Sequence, residues 1–229
     1  MICGASTVYE KENIMDKQAF TLDELVASAV DDADLCSVDI PAIDLYLDQI
    51  ITLTSDKLAR NKRGENDKLL TKTMINNYSK DGIIKPVKGK KYTREQIVQM
   101  MLVYSLKQTL SIGEIKQIFD GVYELEGFDG TDMIACYDRF LDFKADIRRA
   151  APEMVADLCT SGGLDMEDDR DFFVGLLGMA ALSSYFRNIA QDMLAARYPV
   201  PQEERDKEKD KEKSREKGKE KKDKSEKDK

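Results

Sequence analysis

The stretch that most constrains the fold is residues 71–119, TKTMINNYSKDGIIKPVKGKKYTREQIVQMMLVYSLKQTLSIGEIKQIF, because it sets two helix starts only eighteen residues apart. Thr93-Arg94-Glu95-Gln96 and Ser111-Ile112-Gly113-Glu114 are capping boxes. In each, a hydroxyl and a longer side chain three residues on satisfy orphan backbone N–H groups of a first helical turn. Ile97, Met101, Tyr104 and Leu106, then Ile115 and Phe119, supply the apolar sides of these two helices. Upstream, Leu70, Met74, Ile75 and Tyr78 give a short helix over about residues 71–80 an inner stripe, and leave Lys72, Thr73, Asn76, Asn77 and Lys80 on its other surface. Gly82 suits the left-handed position that ends a helix. Ile83-Ile84 then reads as a short strand, and Pro86 as an extended edge. Lys85, Lys88, Lys90 and Lys91 gather around Gly89 and are closed by Tyr92, which predicts a β-hairpin wing with charge at its tip. The expected order is helix, wing, helix, helix.

Charge marks the same stretch. Residues 1–56 carry 2 basic and 12 acidic side chains, residues 57–94 carry 12 and 3, residues 95–201 carry 9 and 18, and residues 202–229 carry 13 and 11. A segment of net charge +9 thus sits inside a chain whose total is −8. An acidic chain repels nucleic acid unless its positive charge is gathered on one face, so this segregation is the footprint expected of a DNA reader. Asn pairs bidentately with an adenine edge and Lys with guanine, which suits the polar face of the short helix to a major groove; lysines on a wing tip suit phosphates.

The rest of the chain reads as helical. Residues 1–19 show no sustained periodicity, and Thr21-Leu22-Asp23-Glu24 is a third capping box that should start a helix to about Val30. Asp31, Asp32 and Asp34 follow as a solvated acidic turn. Pro41 suits a first helical turn, with Ile43, Tyr46, Leu47, Ile50, Ile51 and Leu58 recurring at helical spacing, and residues 60–68 form a basic loop. Beyond residue 120, a helix from Thr131 carries Met133, Ile134, Tyr137, Phe140 and Ile147, and Pro152 should start a second that ends near Gly162. A third, over about residues 168–198, lines up Phe172, Leu176, Met179, Leu182, Phe186, Ile189 and Met193 before Pro199 and Pro201 stop it. Gly175, Gly178, Ala180 and Ala181 would let another helix approach closely, within this fold or across a homodimer. Residues 202–229 alternate Lys, Glu and Asp with no apolar side chain and should be a disordered charged tail.

Several function classes are excluded on residue chemistry. The chain has no histidine, and Cys3, Cys36, Cys136 and Cys159 are too far apart for a C-x-x-C pair, which removes most zinc sites and the usual general base. The cysteines read as small buried or half-buried thiols. No phosphate loop, G-x-G-x-x-G or G-x-S-x-G motif occurs, so neither an enzyme nor a cofactor is expected. The acidic run at residues 165–171 looks at first like a calcium loop, but Arg170 stands where Gly is needed and Leu176 where the bidentate Glu should be, so capping acids are expected there. The longest apolar run, residues 172–182, is shorter than a membrane span, and MICGASTVYEKEN lacks a signal peptide's pattern, so a cytoplasmic location without membrane attachment is expected.

Ile75-x-x-Tyr78-x-x-x-Gly82-Ile83-Ile84, Pro86, the basic segment to Tyr92, and Leu110-Ser111-Ile112-x-Glu114-Ile115-Lys116 resemble the DNA-binding domain of MerR-type winged-helix regulators. IDLYLDQIITL, LTKTMINNY and LKQTLSIGEIK are more closely similar to an uncharacterised bacterial family of cytoplasmic proteins, a domain of unknown function, over about residues 40–120. The chain departs from the regulators at Asn76-Asn77-Tyr78, where they carry Arg-Tyr-Tyr, so only Tyr78 transfers directly. A long helix and a loop also replace their short helix-turn.

The expected fold class is mainly α: an N-terminal arm with a short helix (residues 1–40), a MerR-like winged helix with a β-hairpin wing (41–120), an acidic helical region (121–201) and the tail (202–229). The expected function is a DNA-binding transcriptional regulator of double-stranded DNA. Its contact residues would be Lys72, Thr73, Asn76, Asn77, Tyr78 and Lys80 on the helix, with Lys85, Lys88, Lys90, Lys91, Tyr92 and Arg94 around the wing. The competing expectation is a protein-interaction adaptor that docks an acidic partner on the same basic face.

Overall fold

The computed structural model describes residues 21–62, 64, 69–85, 87 and 89–199. The N-terminal arm before Thr21, Cys3, Pro86, Lys88, Pro201 and the charged tail lie outside the described residues. The described residues form seven α-helices and one two-stranded sheet. In chain order these are α1 (Leu22–Val30), β1 (Leu45–Tyr46), α2 (Leu47–Lys57), α3 (Lys72–Lys80), β2 (Lys91–Tyr92), α4 (Arg94–Leu106), α5 (Ile112–Tyr123), α6 (Gly130–Ser161) and α7 (Asp169–Arg197).

The helix starts obey the capping chemistry. Thr21, Thr93 and Ser111 each accept from the backbone N–H three residues on, while Glu24, Gln96 and Glu114 return the bond. Asp168 caps α7 by accepting from Arg170 and Asp171 N–H at 2.9 and 3.2 Å, and Asp171 accepts from Asp165 N–H at 2.9 Å, so these acids are spent on a helix start.

The core is organised around α4. Ile97, Val98, Gln99, Met100, Met101 and Val103 are all buried, as expected of a helix that meets neighbours on every side. Ile50 of α2, Ile75 and Tyr78 of α3, Ile115 and Phe119 of α5, and Met133 and Tyr137 of α6 join it in a cluster reaching from Leu35 to Tyr137. Each such side chain contributes about 1.5–3 kcal/mol on burial. The cluster does not stop near residue 120, because the first turns of α6 lie on α4.

α1 and the turn after it are tied to α6 by polar contacts. Tyr137 Oη donates to the Leu35 carbonyl at 2.7 Å and Ser37 Oγ to Asp138 at 2.7 Å. Arg148 reaches Asp32 at 2.7 Å and Asp34 at 2.5 Å, and Lys144 bonds both carboxylates. Burial alone would raise the Asp32 pKa, but bonds from Lys144 and Arg148 outweigh it and hold the carboxyl below its ordinary value. The acidic turn, expected to be solvated, is therefore a tether across more than a hundred residues of sequence. α7 lies on α5 at its C-terminal end, where Gln191 donates to Glu114 at 2.6 Å and Gln117 to the Tyr198 carbonyl at 2.5 Å.

Other expectations are corrected. Pro41 starts no helix: α2 begins at Leu47, after strand residues whose pairing holds them extended, and Gln49 caps it by accepting from Tyr46 N–H at 2.8 Å. Ile83-Ile84 is not a strand, and among the described residues no local hairpin forms; Tyr92 pairs antiparallel with Leu45, and Lys91 with Tyr46. Pro152 does not divide α6, which runs unbroken through it; helix formers flank the proline, and its ring is exposed. Among the described cysteines, Cys36 and Cys136 are exposed and Cys159 is buried. The α7 stripe is also mostly exposed, at Phe172, Leu176, Phe186, Ile189 and Met193.

Candidate nucleic-acid interface

α3 is held at both ends. Thr71 Oγ1 accepts from Met74 N–H at 3.2 Å, and at the other end Ile83 N–H bonds the Tyr78 carbonyl at 2.9 Å and Gly82 N–H the Ser79 carbonyl at 3.3 Å. With Gly82 at φ +69° this is a Schellman closure. The helix turns Ile75 and Tyr78 into the core and leaves Thr73, Asn76, Asn77 and Lys80 exposed on the opposite surface.

After α3 the chain dives, burying Ile83 and Ile84, and emerges at Lys85. There the Gln96 amide donates to the Lys85 carbonyl at 2.9 Å, while the Lys85 ammonium lies 3.1 Å from Glu95 and 3.6 Å over the Tyr123 ring. Tyr123 Oη donates to Glu95 at 2.6 Å and accepts from Gln99 at 2.8 Å. Burial, and then the bond to anionic Glu95, push the Tyr123 phenol far above its ordinary pKa, so it remains a donor.

Gly89 and Lys90 both adopt φ +67°, the geometry of a tight reversal that feeds β2. The Lys91 ammonium then sits 5.0 Å over the Tyr46 ring, and Lys72 lies 2.5 Å from Asp48 two residues further on. The basic turn and the start of α3 thus converge on the N-terminus of α2. Lys80 and Lys90 are exposed without an ion-pair partner among the described residues.

The structure therefore sorts the expected contact residues. Thr73, Asn76, Asn77, Lys80 and Lys90 are presented outward; Lys72 and Lys91 are exposed with local partners. Tyr78 and Tyr92 are core residues, and burial raises the Tyr78 phenol pKa. Lys85 is engaged with Glu95, and Arg94 spends its guanidinium on the Ser37 carbonyl at 3.0 and 2.5 Å. Two features were not read from sequence. Exposed Tyr46 beside Lys91 sits in what reads as a helical run, and the Glu95–Tyr123–Gln99 chain joins residues with no periodic relation. Among the described residues no group of three His, Cys, Asp or Glu is placed to hold a metal ion.

No curated protein and no solved structure matches the chain. A family model does match, and its span nearly coincides with the core from Leu35 to Tyr137, leaving the far half of α6 and all of α7 outside. Over residues 36–140, a little under half of its length, the chain matches the family model described as Domain of unknown function (DUF1836).

Proposed function

We propose that the chain is a transcriptional regulator that binds double-stranded DNA in the manner of a MerR-like winged helix. The observation that carries this reading is the division of α3, which buries Ile75 and Tyr78 and leaves Thr73, Asn76, Asn77 and Lys80 as one outward polar face beside the turn at Lys90 and Lys91. The topology supports it: two helices, α2 and α3, precede a basic turn whose outgoing strand pairs with the strand before them. In this reading Asn76 and Asn77 face base edges, and Lys72, Lys80, Lys90 and Lys91 face phosphates. Lys85 and Arg94 act at one remove, by fixing the path of the chain into and out of the turn.

The test is fluorescence anisotropy of the full chain with a pool of random duplexes across a salt series. Lys90→Glu combined with Lys91→Glu should weaken binding to every duplex by at least ~10-fold and flatten the slope of log K against log salt by about 2, since each phosphate contact contributes ~0.9. Asn76→Ala should change the ranking among sequences more than the mean affinity. Absence of salt-sensitive association at low ionic strength would sink the proposal. Release of a bound acidic protein by the same Lys changes would put the adaptor reading in its place.

A further inference from the structure

We infer that α6 from Phe143 onward and α7 form a docking arm for a second copy of this chain. Thirteen large apolar side chains between Phe143 and Met193 are exposed by 42–68%. On α6 they form one stripe, Phe143, Ile147, Met154 and Leu158, at spacings of 4, 7 and 4. On α7 no charged residue occurs from Phe172 to Phe186, so that segment is apolar around its whole circumference, yet only Gly175, against Met166, is buried there. A helix apolar on all sides belongs in an interior. Between the two helices runs an open groove of about 320 Å³ lined by Leu158, Leu164, Val174, Gly178, Ala181 and Tyr185.

Area and shape identify the occupant. At roughly 100 Å² each, thirteen half-exposed side chains offer on the order of 1,300 Å² per protomer, so a partner that covers about two thirds of them reaches the ~800 Å² per partner of a standard stable interface. The face is self-complementary. Phe173, Leu177 and Tyr185 stand in a four-residue row with small Ala181 as its notch, and a Cβ at neighbouring Gly178 would meet nothing within 4 Å. Two copies about a two-fold axis set the ridge of one into the notch of the other.

A bilayer fits less well. α7 is long and apolar enough to cross a membrane, but its charge-free stretch of fifteen residues is ~22 Å long against ~30 Å of hydrocarbon, and Arg187 and Asp192 follow it. Residues 202–229 contain no apolar side chain with which to cover the arm. The inference is independent of DNA binding, and its readout is separate.

Sedimentation velocity of the full chain at about 1 to 100 µM, without detergent, should show a dimer. Leu177→Glu on α7 and Phe143→Glu on α6 should each raise the dissociation constant at least ~30-fold, with far-UV circular dichroism unchanged because both side chains are exposed within one protomer. A monomer throughout that range overturns the inference, as does a dimer that both changes leave intact. Co-sedimentation with phosphatidylcholine–phosphatidylglycerol vesicles in place of dimerisation would assign the arm to lipid. A monomer that associates only after residues 1–20 are deleted would assign it to the chain's own N-terminal segment.

Discussion

The span from Leu35 to Tyr137 and the arm from Phe143 to Met193 are both helical and similarly apolar, yet they end in opposite states. α6 belongs to both. Its Met133 and Tyr137 are 3% and 2% exposed, and Phe143, six residues on, is 63% exposed. Both halves are continuous α-helix, Pro152 in the far half notwithstanding. Met133 and Tyr137 meet α4, whereas at Lys144 and Arg148 the partners are the Asp32 and Asp34 carboxylates of the turn after α1, a helix that buries none of its own residues. Capping chemistry decides where helices begin, and the number of elements within reach decides which of them gain a core.

That contrast can be broken by experiment. Ile97→Ala, at a fully buried position of α4, should cost about 3–4 kcal/mol in chemical denaturation. Phe143→Ala should cost under ~0.5 kcal/mol of protomer stability, measured at a dilution where the chain is monomeric. Equal costs would erase the distinction. Arg148→Met should cost roughly 1–3 kcal/mol, because it leaves Asp34 and Asp32 short of a partner in a part-buried site; protection of α1 amides in hydrogen exchange should fall with it. Thr93→Ala should cost about 1 kcal/mol by uncapping α4, measured as a lowered denaturation midpoint.

The smallest effect concerns acid. The folded-state pKa of Asp32 lies below its ordinary 3.8, so its contribution is complete above pH 3.8 and is lost as pH falls through the lower folded value. Acidification below pH 3.8 should therefore loosen α1 from α6, read as loss of α1 protection while α4 amides remain protected. Loss of both together would show that α1 is not a separable attachment.

The sequence showed helix starts well because caps are local: Thr21, Thr93 and Ser111 each declare themselves within four residues. Gly82 ended α3 as expected for the same reason. What failed was non-local. Ile83-Ile84 looked like a strand because two adjacent β-branched residues read alike in a strand and in a buried bend, and the true partner of Tyr92, Leu45, carries no mark of the pairing. Asp32 and Asp34 looked solvated because Lys144 and Arg148 lie more than a hundred residues away. At the candidate interface, periodicity placed Asn76 and Asn77 outward correctly. It gave no guidance off the helix, where a Lys can reach water or, as Lys85 does, fold back over a ring.

The two-residue ladder between β1 and β2 bears on the order in which the molecule assembles. It joins Tyr46 to Lys91, closing a loop of 45 residues that contains α2 and α3. Closing such a loop costs roughly 3 kcal/mol of chain entropy, more than two residue pairs return by themselves. The shape of the turn at Gly89 and Lys90 is therefore a late product, available once the intervening helices have condensed on α4. A peptide cut from residues 85–92 would carry the charge of the turn without its form, and any lesion that melts α2 would unmake the basic face from a distance.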